Sequence, residues 1–537
     1  MNAGPAQGEK RWIAMPGAIR WSGDSVGAAG LMTMAAAAGC LVLYVTQWGI
    51  GLGSDSAVYV AAARNLLSGY GLSWVNAGLE VRPMTLHGPL LPLLFAGLEV
   101  IGVDSLATAR ALNAFSFGIE VLLVGVLIKR ASDSWILSLL GGYLVLSSGE
   151  LVNIHSSAMS DPLYLALAYI GLVLFSSFLS DRKPLHLVWA STAVGLACLT
   201  RYLGLSLVLA LALSLVLADV RRAKLVAGQL AILLPIGLGP FILWLIRNLV
   251  LTGQAAGRSL TFDVPVMVNA VRGTAIIVMN WFLPLRVVEW LFEVQVRWVA
   301  SIVAALGVGA VLGWPTYRKT RQRPLQSGAE IRTLLPVLLS FGSFLSLIVA
   351  TSLLSQMDVD IEERILLPAY GLLLVLVFFF LRQAWRLRSW LVKAVIVALC
   401  ILLIRNKTVS AYWVVRNLQG DGQGYSSAAW KGSATIRALQ ELSPTVIYAD
   451  DIAAVYLLAD RRPYLAPLRL NSATGELRPT YEDDLSTMRR RIEQEGAVLV
   501  LFRPDSLPPE LGPLEELTRG LIPIRTLTDG VIYGSSP

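Results

Sequence analysis

The chain has 537 residues, of which 55% are hydrophobic and only 15% charged, and its mean hydropathy is +0.63. A soluble chain of this size carries about 25% charge, so the composition excludes an ordinary soluble protein. The net charge of +8 does not mark a nucleic-acid partner, because the Lys and Arg residues stand between apolar runs, where membrane topology accounts for them.

Residues 1–30 form a polar start, read as a cytoplasmic segment. The run 31–50 is the first of the length that crosses a hydrocarbon core of ~30 Å at ~1.5 Å per residue, and it is too long for the apolar core of a cleavable signal peptide. Ten further runs follow, at 106–128, 134–149, 161–180, 186–200, 202–218, 225–246, 296–314, 333–354, 365–381 and 390–404. The expected fold class is therefore mainly α, a polytopic transmembrane helical bundle of about 11 spans over residues 31–405, in the cell membrane. Cys40, Cys198 and Cys400 all fall inside apolar runs and suggest neither a disulfide frame nor a zinc site.

Loop charge sets the orientation. Lys10, Arg11 and Arg20, then Lys129 and Arg130, Arg182 and Lys183, and Arg221, Arg222 and Lys224 occupy one set of loops, as do Arg318–Arg323 and Arg382–Lys393. The alternate loops contain no Lys, and one of them, 358–363, is strongly acidic. The basic set is cytoplasmic on this reading. Because Lys183 and Arg221 both belong to it, the stretch 186–218 is predicted to cross twice, turning at Arg201. The alternative, one long tilted helix, strands Arg201 in mid-membrane.

Two regions between spans are not spans themselves. In the outer loop 51–105 the pattern predicts a helix over 56–68, lying along the membrane surface and stopped by Gly69 and Gly71. The apolar stretch 87–101 is short for a span and reads as interfacial or re-entrant. In 248–297, Arg258, Arg272, Arg286 and Arg297 interleave with Trp281 and Trp290, which suits an interface. From 406 to 537 helices are expected over 427–442, 452–458 and 483–493, with strands over 445–449 and 497–502, a small extracytoplasmic α/β domain. No internal repeat of the kind common in secondary transporters is evident.

The polar residues that could carry chemistry lie on the outer side. Asp55 follows the first span and Asp161 opens the fourth, with Pro162 behind it. Each could cap its helix; together, on one membrane face, they are candidate acid/base groups. Arg82, Arg201, Arg247 and Arg364 are candidate phosphate binders, since a guanidinium fork suits phosphate oxygens, and local salt bridges or headgroup contacts are the alternative. His87 and His155 share this side as candidate acceptor or metal contacts, so a divalent cation is one reading, although their spacing matches no metal motif. Glu120 lies inside the second span and requires a polar partner in the bundle.

Several of these residues sit in segments that together resemble a known family. They are the helix opening Asp55-Ser-Ala-Val-Tyr-Val, then Arg82-Pro83, Gly88-Pro-Leu-Leu-Pro92, Ala109-Arg-Ala-Leu-Asn113, Thr200-Arg-Tyr-Leu-Gly204, Arg247-Asn-Leu-Val-Leu-Thr-Gly253 and Glu363-Arg-Ile-Leu-Leu-Pro368. Over roughly residues 30–405 the order and sidedness resemble the C-type membrane glycosyltransferases, in the branch of protein O-mannosyltransferases and aminoarabinose transferases. The departures are a single proline at Pro83, where the family often has two, and His87, where an aromatic residue is common. The resemblance implies a polyprenyl-phosphate sugar donor and inverting transfer to an acceptor hydroxyl, with Asp55 as the catalytic acidic residue, Asp161 as a second one, and Arg364 against the donor phosphate. It names neither sugar nor acceptor. A transporter or lipid flippase is the rival class and a non-catalytic scaffold a third. The transporter fits less well, because the polar residues concentrate in outer loops instead of mid-span, and the scaffold is the weaker reading.

Overall fold

A computed structural model describes residues 21–75, 81–256, 264–282, 328–353, 362–471 and 475–535. The first span, α1 (Trp21–Val45), begins earlier than predicted. Its first turn carries Asp24, which accepts a hydrogen bond from the indole of Trp135. The loop beyond it holds α2 (Ser54–Leu67), an antiparallel pair β1 (Ser73–Val75) and β2 (Val81–Pro83), and α3 (Leu90–Glu99). One face of α2 is buried against α3, β1 and the C-terminal domain.

Next come α4 (Ser105–Ser132), α5 (Trp135–Leu146) and α6 (Gly149–His155). The last two meet at a 58° bend, so the predicted span 134–149 continues past its end as a broken helix. Helices α7 (Asp161–Asp181), α8 (Pro184–Thr200), α9 (Leu205–Ala218) and α10 (Ala223–Thr252) follow. The predicted reversal at Arg201 is present. Val194 and Val208, seven residues either side of Arg201, face one point on α10, where a methyl on Gly237 would sit 3.6 Å from each. At the other end of the hairpin Arg182 pairs with Asp219.

Then come α11 (Val264–Asn280), α12 (Gly328–Leu353), α13 (Glu363–Trp385) and α14 (Trp390–Asp421). Among the described residues seven helices are long and apolar enough to cross a membrane, or eight with the bent pair, while α8 and α9 are shorter apolar helices. The predicted span 296–314, the cytoplasmic Arg318–Arg323 cluster and most of the acidic loop lie outside the described residues. The bundle core joins Phe117 and Val121 of α4, Tyr164 and Phe175 of α7, Val194 of α8 and Tyr370 and Phe378 of α13. The chain is a multi-pass membrane protein.

The domain boundary falls later than 405. Helix α14 runs unbroken to Asp421 and buries Lys407 on its way. Beyond it the predicted helix 427–442 divides into α15 (Ala428–Lys431) and α16 (Ala434–Leu442), because Ser433 caps the second by accepting from the Ile436 amide at 3.1 Å. The rest is β3 (Ile447–Ala449), α17 (Ile452–Leu458), β4 (Tyr464–Leu465), α18 (Tyr481–Glu495), β5 (Val498–Phe502), α19 (Leu514–Leu517), β6 (Ile522–Leu527) and β7 (Gly530–Gly534). The sheet order is β4-β3-β5-β7-β6, with β3 parallel to β4 and β5 and the last two strands antiparallel. Strand β5 is buried on both faces: Val498 and Val500 pack with Leu439 and Val455, while Leu499 and Leu501 pack with Met488 and Ile492.

Candidate active site

Helices α1, α6, α8 and α10 end, and α7 and α13 begin, at the end of the bundle that carries the C-terminal domain. The segment after α1 is clamped there. The Gly51 amide donates to the Ser156 carbonyl at 2.7 Å, and the Ala158 amide donates to the Gly51 carbonyl at 2.7 Å. The Tyr425 amide donates to the Leu52 carbonyl at 2.9 Å. Gly424 permits this approach: its φ is +55°, and a Cβ there would lie 1.9 Å from the Leu52 oxygen. Two chain segments, the α6–α7 turn and the start of the C-terminal domain, thus fix Gly51 and Leu52 just ahead of Asp55.

Capping does not occupy Asp55. The Ser56 hydroxyl accepts from the Gly53 amide at 3.0 Å, while an Asp55 carboxylate oxygen accepts from Arg364 Nη1 at 3.1 Å. Arg364 Nε lies 2.7 Å from Glu362. Both Asp55 and Arg364 are about three-tenths exposed, with side-chain values of 27% and 30%, so the pair stays open to a ligand. Asp161, almost wholly buried, is held by Arg201 from the turn of the α8–α9 hairpin, and its second carboxylate oxygen has no hydrogen-bond partner among the described residues. Asp161 lies within electrostatic reach of Arg364 as well. Four of the predicted residues, two carboxylates and two guanidiniums, therefore form one cluster.

Tyr59, one helical turn after Asp55, joins it. Its hydroxyl lies 3.0 Å from Ser160 Oγ and 3.3 Å from His87 Nδ1. Burial, with the Asp55 charge adding to it, holds the Tyr59 phenol well above its ordinary range, so it serves as a neutral hydrogen-bonding group.

Asp55 stands in the wall between two cavities. One, of 690 Å³, lies between the first loop and the C-terminal domain and is lined by Trp74, Arg82, Met84, His87 and Tyr456. The other, of 710 Å³, lies towards α6, α13 and α14 and is lined by Glu150, Asn153, Glu362, Glu363 and Arg364. Both fall in the ~300–1,000 Å³ range of small-molecule sites. Beneath the second, the buried Lys407 ammonium sits 3.1 Å from Glu150 and over the ring of Tyr370, and Glu363 accepts from the Trp281 indole at 3.0 Å.

Two predicted residues are placed elsewhere. Arg247 donates to the carbonyls of Met84 at 2.9 Å and Leu72 at 2.8 Å and stacks on Trp244, so it tethers the first loop to α10. His155 is fully buried, its Nδ1 on the Leu151 carbonyl at 2.8 Å and its ring stacked on Phe117. Its Nε2 faces Glu120 at 3.5 Å without a hydrogen bond, and among the described residues neither Glu120 carboxylate oxygen is hydrogen-bonded. The reading of His155 as an acceptor or metal contact is thus corrected: the last turn of α6 directs the ring into the bundle. His87 and His155 are not brought together, and among the described residues no group of three or more His, Cys, Asp or Glu could hold a metal ion.

Over 95% of this chain the fold matches that of ArnT from Cupriavidus metallidurans bound to undecaprenyl phosphate, with 99% of that chain covered, a TM-score of 0.54 and 14% identity. The apo form of the same protein gives the same values. The apo oligosaccharyltransferase of Archaeoglobus fulgidus matches over 96% of this chain and 75% of its own, at a TM-score of 0.51 and 12% identity. The chain has the C-type glycosyltransferase fold. No protein-family model and no curated protein matches the sequence.

Sequence reasoning missed Tyr59, Ser160, Glu150 and Lys407. The i, i+4 spacing of Asp55 and Tyr59 on one helix was the available signal for the first. Lys407 stood just past the predicted end of the last span, where a lysine reads as a loop residue.

Proposed function

We propose that the protein transfers a sugar from a polyprenyl-phosphate donor to an acceptor hydroxyl, on the extracytoplasmic face of the membrane, with inversion. The observation that carries the reading is the position of Asp55, in contact with Arg364 and shared by two cavities, so that a donor and an acceptor can reach one carboxylate from opposite sides. The fold it shares with ArnT, whose structure holds undecaprenyl phosphate, supports the lipid-linked donor.

The donor phosphate lies at Arg364, in the cavity of Glu362 and Glu363. As it binds, it competes with Asp55 for the guanidinium and frees the carboxylate. Asp55 then takes the proton of the acceptor hydroxyl. The acceptor oxygen bonds to the anomeric carbon, the bond from that carbon to the phosphate oxygen breaks, and its electron pair leaves with the polyprenyl phosphate, whose charge Arg364 stabilises. Asp161, fixed by Arg201, adds negative potential beside the oxocarbenium-like centre, and Tyr59 holds Ser160 and His87 in place.

The test is to incubate the purified protein in nanodiscs with a polyprenyl-phosphate hexose labelled in the sugar. Release of the polyprenyl phosphate, with label passing to acceptor or water, is the expected result. Label that only changes leaflet in proteoliposomes, with the donor intact, supports a flippase and ends the transferase reading.

A further inference from the structure

The first cavity does not end at the site. Ala57, Val58 and Ala61 of α2 line it, and Tyr456 of α17 closes it from the C-terminal domain. Tyr456 is also a wall of a third cavity, of 470 Å³, farther along α2, together with Arg64, Ser68, Arg461 and Arg462. The two lie one after the other along α2, with Tyr456, over whose ring Arg64 stacks at 5.7 Å, between them. From Asp55 to Arg64 α2 runs nine residues of continuous helix, about 14 Å at ~1.5 Å per residue.

The two ends differ in chemistry. The deep end holds the carboxylate, with small side chains that leave room along α2. The far end gathers three guanidiniums against two carboxylates, Glu99 and Asp460. Arg64 reaches Asp460 at 3.0 Å, but the Asp460 side chain is 86% exposed, so this pair is solvated and weak. Asp460, Arg461 and Arg462 form the turn after α17, where Asp460 adopts a φ of +52° and Arg462 donates to the Asn65 side-chain oxygen of α2 at 3.4 Å. Beside this mouth, Val100 and Ile101, directly after Glu99, are each 71% exposed, an apolar tip suited to a bilayer surface.

We infer that the two cavities together are the acceptor site, the acceptor passing Tyr456, and that it carries an anionic group: its reacting hydroxyl lies at Asp55 while a phosphate or carboxylate, about 14 Å away, rests among Arg64, Arg461 and Arg462. This rests on the reading of Asp55 as the base. The anion can belong to a lipid in the membrane or to a soluble molecule, and the experiment separates the two.

Ser68, an exposed residue at the mouth, is replaced by Cys in the full chain with Cys40 and Cys400 changed to Ser, and maleimide labelling is timed in phosphatidylcholine nanodiscs. Phosphatidylglycerol in the nanodisc, or glucose 6-phosphate in solution, is expected to slow labelling by about tenfold near ten times its Kd, and salt is expected to weaken the protection. Neither probe has a hydroxyl as far as about 14 Å from its phosphate, so both report on the arginine end: protection by the lipid alone assigns a membrane-borne anion there, and protection by glucose 6-phosphate a soluble one. Replacing Arg461 and Arg462 by Gln, two exposed positions, is expected to remove the effect. Equal protection by uncharged methyl glucoside overturns the inference, as does protection that survives the double Gln change, or none from either anion. Failure of donor turnover in a separate assay removes the role of Asp55 and leaves the labelling result standing, so the two readings fail separately.

Discussion

Replacing Arg364 separates donor recognition from structural support. In the resting site its guanidinium bridges Asp55 at 3.1 Å and Glu362 at 2.7 Å. Each pair is partly exposed, so each is worth at most about 1 kcal/mol to the fold, and Arg364→Ala should lower stability in detergent only slightly. A bound donor phosphate makes charge-assisted hydrogen bonds to the same group, worth about 1.5–3 kcal/mol. The Ala variant should therefore bind donor about 10–150-fold more weakly, taking 1.4 kcal/mol per tenfold. Arg364→Lys keeps the charge but not the planar fork and should recover only part of that loss. Donor affinity is read by microscale thermophoresis with a polyprenyl-phosphate hexose, and stability by a thermal melt of the same preparation. Unchanged affinity with a large fall in melting temperature would make Arg364 a structural residue and refute the assignment.

Asp161→Asn should leave the chain folded and reduce turnover through the loss of its Arg201 pair, and normal turnover by single-turnover assay removes it from the site. His155→Ala removes a fully buried ring stacked on Phe117 and should lower stability by about 2–5 kcal/mol, whereas Glu120→Leu with His155→Leu, which refills the space with apolar side chains, should recover most of that in a thermal melt. Burial raises the Asp450 carboxyl to about 7, against backbone hydrogen bonds that favour its charge. Its folded pKa exceeds its unfolded one, so the folded state binds the proton more tightly, and stability falls as pH rises from about 4 to about 7, by at most about 4 kcal/mol. Rate-corrected hydrogen exchange of the β5 amides in the intact chain should follow that slope, and Asp450→Asn should flatten it. Cys placed at Asp421 should react with an impermeant thiol reagent from outside, and Cys at Asp133 should not; the reverse pattern inverts the topology.

The bundle was legible because apolar runs and basic loops are strong, local signals. The hairpin at Arg201 followed from charge parity alone, and the contacts of Val194 and Val208 with one point on α10 agree with it. What pattern could not supply was side-chain direction. Asp55 and Arg364 are more than three hundred residues apart in the chain, and nothing in either segment encodes their contact. His155 and Arg247 had the right residue types on the right side, yet one turns into the bundle towards Glu120 and the other onto loop carbonyls. In the C-terminal domain, β5 was legible as a continuous apolar run. The two-residue β4 and the exposed, mixed-composition β6 take their strand character from neighbours, which sequence periodicity does not report.

The most direct test of the account is single-turnover transfer from a labelled polyprenyl-phosphate hexose by wild type and Asp55→Asn, with donor binding measured on both. The account predicts that the variant still folds and binds donor, while turnover falls by about 10²–10⁴-fold, the usual cost of losing a general base. A folded Asp55→Asn protein that turns the donor over at the wild-type rate would contradict it.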